Sequence, residues 1–326
     1  MAGFIAQVGC GHWGKNLARN FSELGVLGAV VDGNASLASA KAIELGVRNL
    51  TFEQVLDDSS IRGVSLATPA SAHADMALAA LEAGKHVFVE KPLALTPADG
   101  QRVLALAQQK GLGLMVGHLL QYHPIFIKML DMVRASELGA VRYIYSNRMS
   151  LGKFRTEENV LWSFAPHDIS MILALAGEAP AHVTAQGAAF VTPGIADWCT
   201  CQMQFPSGKA AHIQASWLHP FKEQRLTVIG ERGMLVFEDS NIDWDKKLAF
   251  YPHAIDCSGE APVPYPAAVQ YIEVDHSEPL RNECLHFVEV VDSGIGARTD
   301  GAEGLRVLDV LDRAETELKR SLSRKP

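Results

Sequence analysis

The sequence predicts an α/β chain: a doubly wound parallel sheet over residues 1–121, then an α+β domain over 122–326 built on an antiparallel sheet. Three observations carry this. Short apolar strands alternate with amphipathic helices up to about residue 120. Period-two patterning between turns replaces that alternation after Pro124. A glycine-rich turn, Val8-Gly9-Cys10-Gly11-His12-Trp13-Gly14, joins the first strand to the first helix.

The elements follow in order. Ile5–Val8 reads as a strand, and Leu17, Ala18 and Phe21 recur at helical spacing after the glycines. Val26–Val31 is followed by a helix over 36–45, Val64–Ala67 by one over 74–83, and His86–Val89 by one over 97–110. Leu114–Val116 closes the series. Ser, Thr or Asp precede these helices, and Gly46, Gly84 and Gly111 end them. Strand–helix alternation requires right-handed crossovers between parallel strands, and ligands then bind at the strands' carboxyl ends. Asp32, Thr68, Glu90, Lys91 and His118 follow the strands directly, so chemistry is expected there.

Beyond Pro124 a helix over 125–136 leads to alternating segments at 141–149, 182–189, 198–205, 210–217, 225–229 and 234–237. A helix over 165–175 interrupts them. Residues 239–280, rich in Pro, Asp and Tyr, read as an irregular excursion, and helices near 280–293 and 301–321 end the chain. The terminal helix is a candidate to pack back on the first domain.

Composition narrows the function classes. A chain of 326 residues fits two domains, and 48% hydrophobic residues supply a sizeable core. A net charge of −8 argues against nucleic acid or an anionic membrane surface as partner. No apolar run reaches the length of a membrane span, and a strand beginning near the N-terminus argues against a secretory leader. Five cysteines, an odd number, read as reduced thiols of a cytoplasmic protein. Cys199 and Cys201 would share one face of a strand without a second ligand pair, so they read as core residues, and no metal site is expected.

The glycine turn has a dinucleotide-binding pattern. Gly9 permits the tight turn, Gly11 lets a pyrophosphate approach the backbone, and Gly14 lets helix and strand pack closely. The helix N-terminus offers N–H groups and a positive dipole end to phosphates. Asp32 lies 18 positions after Gly14, at the spacing of a carboxylate that accepts from ribose hydroxyls and repels a 2′-phosphate. Gly33 and Asn34 supply no cation, so NAD is favoured over NADP. Lys91 of Glu90-Lys91-Pro92 falls where a nicotinamide would lie, and burial beside that cation would lower its pKa for acid/base work. His167, read with Asp168 at the start of a helix, suits proton transfer near neutral pH. Upstream, Lys153, Arg155, Asn159 and Trp162 form a polar run whose two cations could bind an anionic group; a solvated charged loop is the rival reading.

Taken together, Gly9–Gly14, Ala67-Thr68-Pro69-Ala70-Ser71-Ala72-His73, Glu90-Lys91-Pro92 and Asp300-Gly301-Ala302-Glu303-Gly304-Leu305, in that order, resemble the Gfo/Idh/MocA family of sugar oxidoreductases. The resemblance runs over nearly the whole chain. It implies a Rossmann domain, a C-terminal domain with a large open, mainly antiparallel sheet through which homodimers or homotetramers form, and a Lys91–Pro92 peptide that is often cis. It implies a cofactor site drawn from Gly9, Gly11, His12, Trp13, Gly14, Asp32, Thr68, Pro69, His73, Glu90, Lys91 and His118. Lys91 and His167 would be the catalytic pair, and Tyr122, Lys153, Arg155, Asn159, Trp162, His167 and Asp168 the substrate residues. The chain departs from the family where many members carry Asp four residues before the catalytic His; it has Ser163. It also has Leu119-Leu120 where many read Asn-Arg.

Residues 152–168 look like the bacterial nucleotide-sugar branch, which implies oxidation at C3 of UDP-N-acetylglucosamine or a related UDP-amino sugar in lipopolysaccharide or amino-sugar synthesis. The alternatives are a dehydrogenase of a free sugar or inositol, which needs no anion-binding run, and a non-catalytic NAD-binding sensor, which turns nothing over.

Overall fold

The computed structural model of the chain describes residues 3–151 and 154–323. Its residues divide into two compact units, 1–122 with 277–308 and 123–276 with 309–326. The chain leaves the first unit after residue 122 and returns to it, so that 277–308 belong with the first unit.

The first unit begins with β1 (Ile5–Val8), α1 (Gly14–Glu23), β2 (Leu27–Val31), α2 (Ala35–Leu45), β3 (Arg48–Asn49) and α3 (Phe52–Asp57). It continues with β4 (Gly63–Leu66), α4 (Ala70–Glu82), β5 (His86–Glu90), α5 (Pro97–Lys110) and β6 (Leu114–Gly117), then one 3-10 turn, Leu119–Tyr122. The strands form a six-stranded sheet in the order β3-β2-β1-β4-β5-β6, and every pairing is parallel. β1, β4 and β6 are buried along their whole length, as strands covered by helices on both faces must be. Two elements absent from the sequence reading, β3 and α3, flank this sheet. β3 is two exposed residues with no apolar run to announce it, whereas α3 opens with a capping box at Thr51 and Gln54. α4 starts four residues earlier than predicted. Pro69 stands before it in an extended conformation, and its first residues, Ala70-Ser71-Ala72, lack the apolar periodicity that marks a helix.

The second unit contains α6 (Pro124–Arg134), β7 (Val141–Met149), α7 (Val160–Ala176), β8 (His182–Ala188), β9 (Trp198–Gln204), β10 (Ala210–Ser216), β11 (Glu223–Gly230) and β12 (Gly233–Glu238). Within the expected irregular excursion lie β13 (Leu248–Tyr251), the hairpin β14 (Ala254–Asp256) with β15 (Val263–Tyr265), and β16 (Gln270–Tyr271). Eight strands form one sheet, β16-β13-β12-β11-β7-β10-β9-β8; its pairs are antiparallel except β7 with β10. In β9 Cys199 and Cys201 alternate with more exposed residues and point into the core, as the spacing predicts.

α7 corrects the sequence reading. It begins at Val160, not 165, because Asn159 caps it: its Oδ1 accepts from Leu161 N at 3.1 Å and Trp162 N at 3.3 Å. Pro166 sits inside the helix, buried, where it forfeits one backbone hydrogen bond. His167 and Asp168 are therefore mid-helix residues.

The chain returns through α8 (Pro279–Ser293) and ends in α9 (Gly301–Ser323), which begins in the first unit and finishes in the second. Phe287 of α8 packs against Phe21 and Phe88, ring centroids 6.1 and 5.7 Å apart, contacts worth about 1 kcal/mol each beyond the area they bury. Gly63 and Gly113 leave room for Phe287, Val290 and Val291.

Candidate functional site

The first unit carries a cavity of about 780 Å³ at the carboxyl ends of its strands. Gly9, Gly11, Asp32, Gly33, Thr68 and Pro69 line it, together with Asn49, Leu50, Thr51, Phe52 and Gln54 from β3 and α3. Each glycine of the turn has a distinct steric reason. Gly9 has φ +85°, and a Cβ there would lie 2.5 Å from Ala67 O. A Cβ on Gly14 would lie 1.9 Å from Gly9 O, so only glycine lets α1 meet the turn. A Cβ on Gly11 would meet nothing within 4 Å and would occupy the cavity's open space. No side chain caps the N-terminus of α1, whose N-cap is Trp13. Lys15 N and Asn16 N donate to Gly11 O at 3.2 Å and Trp13 O at 2.8 Å, so it is chiefly the positive end of the helix dipole that this turn offers an anion.

Asp32 does more than the spacing implies. Its Oδ2 accepts from Cys10 N at 2.7 Å and its Oδ1 from Asn34 N at 2.8 Å, so it holds the glycine turn as well as facing the cavity. A carboxylate has about four lone-pair positions, leaving two for ribose hydroxyls. Buried Gln7 supports the same turn, with Nε2 donating to Gly9 O at 2.9 Å. Burial, followed by the charge of Asp32, pushes the Cys10 thiol up to about 11 and keeps it neutral. Thr68 Oγ1 is buried without a hydrogen-bond partner among the described residues, at the cavity wall. An orphan hydroxyl, an open glycine and an uncapped helix end fit an adenine dinucleotide.

Around this cavity the other predicted cofactor residues divide. His12 and Trp13 are exposed on the turn, and the Trp13 indole N–H donates to Glu90 Oε1 at 2.5 Å. Glu90 ends β5, Lys91 follows it directly, and the Lys91–Pro92 peptide is cis. Burial pushes the Glu90 carboxyl up to about 7, against the pull of the Trp13 hydrogen bond and the Lys91 charge. His73 is buried, its ring nitrogens lie 2.8 Å from Pro92 O and 2.9 Å from Thr68 O, and it ties the two site loops together. His118 is also buried, with Nδ1 2.6 Å from Glu303 Oε2, so it joins β6 to α9 rather than facing the cavity. Tyr122, predicted for substrate, is buried in the first unit; its hydroxyl lies 3.1 Å from Thr299 Oγ1 and 3.0 Å from His286 Nδ1.

In the second unit the substrate candidates also divide. Lys153 lies outside the described residues. Arg155 is exposed and pairs with Glu158 at 2.6 Å. Asn159 Nδ2 and Trp162 Nε1 both donate to Glu315 Oε2, at 2.8 and 3.2 Å, which ties the start of α7 to α9. Asp168 is fully buried, accepts from Ser146 Oγ and pairs with Arg148. Three of its about four lone-pair positions are engaged, so it holds Ser146 and Arg148 in place. His167 is partly buried on α7.

The cavity, its glycine turn and its acidic β2 end define an NAD-binding Rossmann protein. Two adjacent family models match this chain: one described as the oxidoreductase family with an NAD-binding Rossmann fold, over residues 5–118, and one as the GFO/IDH/MocA C-terminal domain, over 126–236. The chain belongs to the Gfo/Idh/MocA oxidoreductase family. It is 32% identical over 210 residues to UDP-N-acetylglucosamine 3-dehydrogenase of Acidithiobacillus ferrooxidans, a match spanning 64% of this chain and 65% of that protein. The solved structure of that dehydrogenase superposes with a TM-score of 0.86 at 26% identity, covering 98% of each chain. Inositol 2-dehydrogenase of Rhizobium meliloti is 25% identical over 88% of this chain and 87% of its own length.

Proposed function

We propose that the protein is an NAD-dependent dehydrogenase that oxidises a secondary sugar hydroxyl to a ketone, at C3 of UDP-N-acetylglucosamine or a related UDP-amino sugar. The observation that carries the dehydrogenase reading is the cavity whose acidic rim is Asp32. The UDP-sugar reading rests on the similarity to the Acidithiobacillus enzyme. Bound NAD would take the hydride from the carbinol carbon. Lys91 and His167 are proposed to remove the hydroxyl proton: Lys91 follows a buried strand end, and histidine supplies a base active near neutral pH. Gly9, Gly11, Gly14, Asp32, Thr68 and Pro69 would hold the dinucleotide, and Arg155 a substrate phosphate in exchange for its pairing with Glu158.

The inositol reading has its own support in the relative that matches most of the chain. A comparison of UDP-N-acetylglucosamine, N-acetylglucosamine and myo-inositol under identical NAD, followed by NADH absorbance, separates the two. The UDP-sugar should have a specificity constant at least tenfold above the others, and comparable values for the free sugar would overturn the nucleotide-sugar reading. The sheet of the second unit is the proposed surface for a homodimer or homotetramer, to be tested by light scattering, and the proposed setting is cytoplasmic lipopolysaccharide or amino-sugar synthesis. Among the described residues no helix is long and apolar enough to cross a membrane.

A further inference from the structure

Glu283 stands in α8 with its side chain fully buried, and neither carboxyl oxygen meets a hydrogen-bond partner among the described residues. Leu280, Cys284 and Phe287 of the same helix are core residues. A carboxylate without donors in such surroundings is far less stable than the neutral acid, so Glu283 keeps its proton. The charge that acts on it is that of Glu90, and both burial and this neighbour push its carboxyl well above the usual range. Glu90 leans over Gly117, where a Cβ would come within 2.9 Å of its carboxyl group. Trp13 donates to one of its oxygens, Lys91 N lies 3.3 Å from the other, and the charges of Lys91 and His118 also act on it. Tyr122 and Cys284 lie within the field of Glu283. Glu283, fully buried without a donor, is the neutral member of this cluster, and Glu90, with two donors, is the member that can carry the charge.

The sheet order says where this pair meets the cofactor. Asp32 directly follows β2, on one side of β1, and Glu90 ends β5, on the other. A dinucleotide with its ribose at Asp32 and its phosphates on the Gly9–Gly14 turn directs its nicotinamide half toward β4 and β5.

We propose that Glu90 is the counter-charge for the oxidised nicotinamide, losing its proton to solvent as the cation docks and regaining one when the ring becomes neutral, while Glu283 behind it stays protonated and limits the site to one negative charge. No covalent bond of the cofactor changes in this step; one O–H of Glu90 breaks and its proton goes to buffer. The proposal rests on NAD occupying this site and not on the identity of the sugar. Because Glu90 is held near 7 in the free protein, about half a proton should leave at pH 7. NAD+ affinity should then rise up to about tenfold from pH 6 to pH 8, as the free protein sheds that proton by itself.

Calorimetric titration of the protein in phosphate and in Tris buffer at pH 7 measures the proton directly. NAD+ should release about half a proton, and NADH and ADP-ribose close to none. Glu90→Gln should still bind NAD+ but without the release. Glu283→Gln and Glu283→Met should both retain it. Equal release for all three ligands, undiminished release in Glu90→Gln, or loss of release in a folded Glu283 variant would overturn the proposal. Failure of NAD+ to bind at all would instead overturn the cofactor assignment on which it stands.

Discussion

Asp32→Ala is the most informative single perturbation, because two separable consequences can be worked out from its contacts. The carboxylate accepts from Cys10 N at 2.7 Å and Asn34 N at 2.8 Å. Hydrogen bonds to a charged acceptor are worth about 1.5–3 kcal/mol each, but Asn34 is exposed and water can replace its partner. The free protein should therefore lose about 2 kcal/mol, nearly all from the turn at Cys10. For a unit of this size that lowers Tm by about 4–8 °C. Separately, loss of the ribose acceptor should weaken NAD by about 2 kcal/mol, roughly thirtyfold. NADP should improve only through relief of repulsion, since neither Gly33 nor Asn34 brings a cation. The variant would thus be a weak binder of both cofactors rather than an NADP enzyme. Differential scanning calorimetry reads the first effect, and fluorescence titration with NAD and NADP the second. An unchanged Tm would refute the reading of Asp32 as a brace for the turn. Thermal loss with NAD affinity within threefold of the parent would refute its assignment to the ribose.

Lys91→Ala and His167→Ala should each lower turnover roughly 10²–10⁴-fold, with NAD binding by fluorescence titration preserved in His167→Ala; near-normal turnover in either removes that residue from proton transfer. Asp168→Ala strands the buried guanidinium of Arg148 and should cost about 3–5 kcal/mol in urea unfolding, whereas a substrate contact would depress activity without that loss. His123, whose pKa burial lowers to about 4, is neutral in the folded state and gains a proton on unfolding below pH 6.5. Stability should be full above pH 6.5 and fall by up to about 3 kcal/mol as pH drops to 4; His123→Asn, which can still cap α6, should flatten that fall in denaturant titrations at pH 7 and pH 4.5.

What the sequence determined by itself was whatever depends on neighbours along the chain. Apolar runs broken by glycine turns give five of the six parallel strands up to residue 117, because each strand–helix unit is specified locally and right-handed crossovers leave little freedom; the two-residue β3 has no apolar run. The glycine turn was legible residue by residue, since backbone conformation and close approach leave glycine no substitute at Gly9 and Gly14. Cys199 and Cys201 were legible as core residues from the two-residue period of a strand. Side-chain allegiance was decided only by the tertiary structure. Asn159, Trp162 and Asp168 sit in a run whose polarity reads as a substrate surface, but Glu315 and Arg148, distant in sequence, take up their polar groups. His73, His118 and Tyr122 follow the same rule, each engaged by a residue 5 to 185 positions away. Sequence spacing fixes where a side chain starts on a strand or helix. Which partner compensates its desolvation depends on what the fold brings beside it, and a buried polar group takes the nearest donor or acceptor regardless of chain distance.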